Sequence, residues 1–241
     1  KYTFLYGDSS VDFEYPEEDV IKVLEPAELE KTAKTEEEII RDAIENPIGT
    51  PKLEEIVKPG QTVCIVVPDV TRAWARPSVI CHILVEKLEK IGVKDEDILF
   101  IAAVGTHRLQ EEEDFELLIG KDFCQRFKHQ NHFCDSDDFV VTGTSSRGNV
   151  MECNKFAMDC DHRILVGGIV FHFLAGFGGS RKYVLPGIAG RDTIMSNHSQ
   201  YFNPGGVGSG RNPLVAPGSY EDSPISKEMF EAAEMAGIDF V

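Results

Sequence analysis

Apolar positions along the chain fall into two alternating kinds of run. Thr62 to Val67 (TVCIVV) and Ile98 to Val104 (ILFIAAV) are short, continuous and rich in β-branched residues, the pattern of strands buried on both faces. Between them, Pro77 to Ile91 sets Ile80, Leu84, Leu88 and Ile91 on one helical face, with Gly92 as the stop. Upstream, Thr35-Glu-Glu-Glu38 is a capping-box pattern opening a helix that Asn46-Pro47-Ile48-Gly49 ends. Downstream, an acidic helix is predicted from about Glu111 to Ile119, before Gly120. A weaker strand follows around Val140, and a stronger one runs from Arg163 to Val170 (RILVGGIV). Asn203 to Gly210 (NPGGVGSG) reads as a flexible connection. A last helix spans about Ser226 to Ala236, and Gly237 to Val241 has the form of a strand just opening.

Strand and helix in alternation predict an α/β fold, a Rossmann-like and mostly parallel sheet with helices on both faces. In open sheets of this kind ligands sit beyond the carboxyl ends of the strands. The polar segments at those ends are Asp69-Val-Thr-Arg72, Gly105-Thr-His-Arg108 and the loop beginning at His172. They are expected to share one crevice, which would gather Asp69, Arg72, His107, Arg108, His172 and Lys182. A period-two reading of Phe171-His172-Phe173 turns both rings away from the imidazole.

Composition narrows the function classes. At 241 residues and 42% hydrophobic content the chain is expected to form one domain, 1–241, with its core at about 47–200. The net charge of −17 argues against nucleic acid or an anionic membrane as partner, since both would be repelled. Six cysteines, at 64, 81, 124, 134, 153 and 160, form no CxxC pair, and Cys64 and Cys81 sit in apolar patterns, so a reducing, cytoplasmic compartment is expected. No apolar stretch approaches the roughly 18 residues of a membrane helix. The chain starts at Lys1 and stops where a strand opens, so it is expected to be part of a longer protein.

The segment FHFLAGFGGSRKYVLPGIAGRDTIMSNH, residues 171 to 198, concentrates the candidate chemistry. Gly176, Gly178 and Gly179 would let backbone N–H groups approach an anionic ligand. Lys182 beside Arg181 is a candidate nucleophile, because a cationic neighbour lowers an amine's pKa; the GxxxxGK[ST] spacing of a P-loop is absent. Arg72 could present its planar fork to a carboxylate with Asp69 orienting it, or form a plain surface ion pair. His107 is either a satisfied loop histidine or an acid/base group, and His198 lies in a turn or helix where it could serve as a cap. His82, His129, His132 and His162 read as structural; a surface metal site of His129 with His132 lacks a supporting cysteine pattern. No GxGxxG follows the first strand, which argues against an NAD-type oxidoreductase.

Five segments in order, Asp69-Val-Thr-Arg72, Gly105-Thr-His-Arg108, Thr144-Ser-Ser-Arg-Gly148, His172 to Gly187 and Asn197-His198, resemble the lactate racemase family of nickel-pincer enzymes, over about Pro47 to Val241. The resemblance implies the N-terminal domain of a racemase or epimerase of 2-hydroxy acids, lactate by default. It implies a nickel-pincer nucleotide, pyridinium-3,5-bisthiocarboxylic acid mononucleotide, covalently bound to Lys182, with His198 as the protein ligand to nickel and Gly178 and Gly179 close to the cofactor. His107 and His172 would then be the acid/base pair for reversible hydride transfer, Arg72 would hold the substrate carboxylate, and Asp69 would support it. A C-terminal domain that closes over the site and proteins that build the cofactor are implied partners. Ser180 stands where the resemblance leads one to expect a third glycine. The alternative is a non-catalytic carrier of a nucleotide-type cofactor.

Overall fold

The computed structural model describes residues 1–25 and 32–241. The chain forms two compact units, Lys1–Thr35 and Glu36–Val241. The first holds an antiparallel hairpin, β1 (Tyr2–Tyr6) and β2 (Ser9–Phe13), with Phe4 and Phe13 edge to face at 5.4 Å.

The second unit begins with α1 (Glu36–Glu45), α2 (Leu53–Ile56), β3 (Val63–Pro68), α3 (Pro77–Ile91), β4 (Ile98–Ala103), α4 (Glu112–Ile119), α5 (Lys121–Arg126) and β5 (Lys128–Asn131). It continues with β6 (Phe139–Thr144), β7 (Val150–Asn154), α6 (Lys155–Met158), β8 (His162–Leu165), β9 (Phe171–His172), β10 (Gly176–Phe177), α7 (Arg191–Ser199) and α8 (Pro224–Met235). Strands β5, β4, β3 and β8 lie side by side in that order, every pairing parallel.

Alternation along the central strands divides the interior into two cores. Val63, Ile65 and Val67 of β3, with Ile98 and Phe100 of β4, pack against Leu84 and Leu88 of α3, Phe115 of α4 and Phe123 of α5. Cys64, Val66 and Ile101 point the other way, to Ala157 of α6, Ile194 of α7 and Met229 of α8. Burying an aliphatic side chain of this size is worth about 1.5–3 kcal/mol. Both faces of the sheet are therefore apolar and covered, which leaves the strand ends as the place for polar groups.

Three segments depart from the sequence expectations. The strand expected to reach Val170 stops at Leu165, because a Cβ at Gly167 would lie 2.0 Å from the Tyr183 hydroxyl and one at Gly168 would lie 2.9 Å from Ala75. These glycines let other side chains close over the backbone, so they end the strand. Around Val140 the chain makes an antiparallel hairpin of β6 with β7, separate from the parallel sheet. The 203–210 segment is a closed loop: Asn203 N–H donates to Gly210 O at 2.9 Å, and Asn203 Nδ2 donates to Ser209 O at 3.0 Å. The expected flexible connection is thus tied at its own neck. At the other end, Phe240 makes a parallel bridge with Ile164, as the opening strand predicts.

Candidate active site

β3 delivers Asp69 and Arg72. Asp69 is buried and caps the 3-10 turn Val70–Ala75, its Oδ1 accepting from Thr71 N–H at 2.8 Å and from the Thr71 hydroxyl. Its other oxygen, Oδ2, lies 3.1 Å from His107 Nδ1. A carboxylate oxygen only accepts, so Nδ1 carries a proton, and in the neutral ring the lone pair is on Nε2. Arg72 donates to the Thr71 hydroxyl, and no carboxylate among the described residues pairs with its guanidinium. That leaves a planar cationic fork at the cleft wall.

β4 delivers His107 through a turn in which His107 N–H donates to Val104 O at 2.9 Å. The turn is pinned from two sides: Gly105 N–H donates to Gly187 O at 2.9 Å, and Gln110 Oε1 accepts from Val70 N–H at 2.7 Å. Arg108 faces elsewhere. Its guanidinium grips Asp114 of α4 at 2.5 and 2.9 Å, so the expectation that it joins the crevice is corrected. Asp114 belongs to the α4 capping box, and Arg108 is drawn to it.

His172 ends β9. Its Nδ1 accepts from the backbone N–H groups of Leu174 at 3.2 Å and Ala175 at 3.1 Å, so Nε2 is the nitrogen that carries the proton in the neutral ring. Burial pushes its pKa down to about 4, with the nearby positive charges of Lys182, Arg72 and His198 adding to the effect. Phe173 stacks on the imidazole, centroids 5.0 Å apart at 18°. The period-two expectation therefore fails for Phe173, because β9 ends at His172 and the chain turns at once, while Phe171 packs on Phe177 with centroids 5.2 Å apart.

Lys182 sits in the turn Ser180–Tyr183. Burial and then the Arg72 charge, against the opposing pull of Asp69, lower its pKa to about 8. Among the described residues its amine has no ion-pair partner. His198 lies in α7, its pKa pushed down to about 4 by burial and then by the Lys182 charge, and its buried Nδ1 has no hydrogen-bond partner. Gly179 has φ +78°, and a Cβ there would come within 2.7 Å of Gly168 O. Gly178 has its N–H donated to Val170 O at 2.8 Å, and a Cβ there would meet nothing nearer than 3.5 Å. Ser180, the departure from the resemblance, holds a left-handed φ of 47°.

One cleft of about 320 Å³ is lined by Asp69, Arg72, His107, His172, Gly179, Lys182 and His198. Gly178 stands outside that lining. Tyr183, Phe173, Leu174 and the Pro186-Gly187 pair complete the walls. Sequence reasoning passed over Tyr183, although its place directly after Lys182 offered a signal; burial raises its pKa to about 12, so it is a neutral wall.

A support missed entirely is Glu228 of α8. It is fully buried, and it accepts from Ser145 Oγ at 2.7 Å, Asn197 Nδ2 at 2.8 Å, Gln200 Nε2 at 2.7 Å and Asn149 Nδ2 at 3.3 Å. The Thr144–Gly148 turn and Asn197 thus meet at this carboxylate and fix the helix bearing His198. The structural reading of His132 holds: it is buried, with Nε2 on Ala189 O at 2.9 Å and Nδ1 on Asn154 Nδ2 at 3.3 Å, so it shares no surface site with His129.

Fold and site together define an α/β protein whose parallel strands end in a cleft holding three imidazoles, a half-buried amine and a guanidinium that no acid among the described residues pairs with. Residues 6–209 match the family model of the lactate racemase N-terminal domain. The chain is 31% identical over 239 residues to a lactate racemase of Thermoanaerobacterium thermosaccharolyticum, covering 98% of this chain and 54% of that protein. It is 34% identical over 209 residues to a lactate racemase of Lactiplantibacillus plantarum, covering 86% and 47%. The structure of the lactate racemase apoprotein from Thermoanaerobacterium thermosaccharolyticum superposes with a TM-score of 0.82 at 29% identity, over 98% of this chain and 53% of that one. The chain belongs to the lactate racemase family, in the part the family's N-terminal domain describes. It spans about half the length of the curated relatives it matches. No helix among the described residues is long and apolar enough to cross a membrane.

Proposed function

We propose that the chain is the cofactor-holding part of a 2-hydroxy-acid racemase, with lactate as the default substrate and a nickel-pincer nucleotide as cofactor. The observation that carries this reading is the half-buried Lys182 amine, unpaired by any acid among the described residues, in one cleft with His107, His172 and His198. The residues fit the group. With a pKa of about 8, roughly a tenth of the Lys182 amine is unprotonated at pH 7, the form that forms a covalent bond. His198, held neutral and with a ring nitrogen free of protein partners, is in the state a metal ligand needs. Lys182 would hold the cofactor and His198 would bind its nickel; when bound, the group supplies a hydride acceptor and donor.

The chain's own residues supply the rest. Arg72 receives the substrate carboxylate, since its fork has no competing acid among the described residues. His107 takes the hydroxyl proton at Nε2, with Asp69 holding the Nδ1 proton in place. His172 exchanges its proton at Nε2, with Nδ1 fixed by two backbone amides. The two imidazoles thus enter in opposite forms, one with a bare Nε2 and one with a protonated Nε2, which suits removal of a proton at one face and delivery at the other. Phe173, Leu174 and Tyr183 keep water from the reacting carbon. The further domain that the resemblance implies would complete the substrate wall. Six free cysteines support a reducing, cytoplasmic setting.

The test is racemisation by the complete, cofactor-loaded protein. His107→Ala and His172→Ala should each lower kcat by about 10²–10⁴-fold while the cofactor stays bound. No racemisation by the loaded wild-type protein would favour a carrier and overturn the reading, and unchanged turnover in both variants would overturn the roles given to the two histidines.

A further inference from the structure

Away from the cleft, on the other face of the sheet, three donor atoms of different chemistry converge. They belong to Glu112 at the first position of α4, Cys124 in α5 and His129 in β5, and all lie within 4.8 Å of one another. Glu112 is exposed; Cys124 and His129 are half-buried.

The imidazole fixes the electronic problem at this point. His129 Nδ1 lies 3.2 Å from Phe127 O, and a carbonyl only accepts, so Nδ1 carries the proton. A neutral ring then turns the bare lone pair of Nε2 toward Glu112 Oε2, 3.1 Å away. Two acceptors face each other at contact distance, which is favourable only with a cation between them, either a proton or a metal ion. The backbone carbonyl behind Nδ1 is the partner that commonly orients a metal-binding histidine and raises the basicity of its other nitrogen. The ring is also held from the side by Phe115, centroids 4.7 Å apart.

Cys124 supplies the softer donor. Burial and then the negative charges of Glu112, Glu116 and Asp122 push its thiol up to about 11, so that without a metal it stays protonated. The same acids that oppose a thiolate favour a divalent cation, whose charge they offset.

We propose that Glu112, Cys124 and His129 bind a borderline divalent cation of the Zn(II) type, with the fourth position left to water. Thiolate, imidazole and carboxylate are the donor set such ions take. A tetrahedral ion with bonds of about 2.0–2.3 Å holds its donors about 3.3–3.8 Å apart, so the Nε2–Oε2 pair at 3.1 Å parts slightly and the wider separations, all within 4.8 Å, draw in. Binding exchanges the Cys124 thiol proton for the metal and releases that proton to solvent. The site clasps α4 and α5 to β5, the edge strand of the sheet. It is independent of the catalytic reading, because none of its residues lines the cleft.

The experiment is titration of the full, metal-free chain with Co(II), followed by displacement with Zn(II). One equivalent should bind with a thiolate-to-cobalt charge-transfer absorption, and Zn(II) should remove it. Cys124→Ser should abolish that absorption, and Glu112→Gln and His129→Gln should weaken binding at least about tenfold. Cys160→Ser and His198→Ala should leave it unchanged. A wild-type chain that shows no thiolate band overturns the proposal, as does a band that survives Cys124→Ser or disappears with Cys160→Ser.

Discussion

Glu228 offers a sharp test of how the site is held. Its buried carboxylate takes four donors, three of them at 2.7 to 2.8 Å, and no cation among the described residues pairs with it. Glu228→Leu removes both oxygens and leaves Ser145, Asn197 and Gln200 donors without an acceptor in a dry interior. Each buried unsatisfied donor costs about 1–3 kcal/mol, so after partial relaxation a loss of about 3–6 kcal/mol is expected. Glu228→Gln keeps one carbonyl oxygen for the donors on Oε2 but removes the acceptor of the Ser145 hydroxyl, whose oxygen already accepts from the Arg147 and Asn149 N–H groups. Its loss should be smaller, about 1–3 kcal/mol, one hydrogen bond and the charge assistance. Urea unfolding at pH 7 of the three proteins measures this directly from midpoints at constant slope. The order wild type, Gln, Leu is the expected outcome. A Leu variant as stable as wild type would refute the reasoning, since it would mean that burying the carboxylate costs as much as its hydrogen bonds return.

Other expectations follow from the same geometry. Gly179→Ala should lose more than about 1 kcal/mol of stability, because φ is positive and the new methyl meets Gly168 O, whereas Gly178→Ala should fall within about 0.5 kcal/mol of wild type; thermal unfolding of the pair separates them. His132, His172 and His198 each have a folded-state pKa near 4, below the ordinary histidine value, so the unfolded chain binds more protons between about pH 4 and 6.5. Their contribution is complete above that window and is lost as pH falls through it; ring-proton NMR should place all three titrations near 4, and urea midpoints should fall from pH 7 to pH 4.5. Asp69→Ala frees the His107 ring, so in the loaded complete protein kcat should drop at least about tenfold with little change in KM; a pure KM effect would instead make Asp69 a substrate contact.

The sheet was legible because β3 and β4 are continuous apolar runs and α3 carries a clean helical face ending at Gly92. The crevice followed from strand order alone, since polar residues after buried parallel strands have only the strand ends to occupy. What the sequence hid was set by side-chain and loop contacts that no periodicity encodes. Tyr183 lies against Gly167 and cuts β8 short, Asp114 draws Arg108 out of the cleft, and Asn203 and Ser209 close a glycine-rich segment into a fixed loop. Glu228 reads locally as one more acidic residue on an amphipathic helix. Only the hairpin turn and α7 folding onto it make it a hub. Likewise the Thr144–Gly148 turn carries a motif of the resemblance yet touches no ligand wall; its part is to position the His198 helix through that carboxylate.

The central claim is that a half-buried, partly neutral amine and a neutral imidazole stand ready for the same organometallic group. The direct measurement is intact and peptide mass of the protein made in a host that produces the cofactor, with nickel analysis alongside. One covalent adduct on the Lys182 peptide is expected, with about one nickel per chain that falls away in His198→Ala while the adduct remains. An adduct on another lysine, or nickel that persists after loss of His198, would contradict the account.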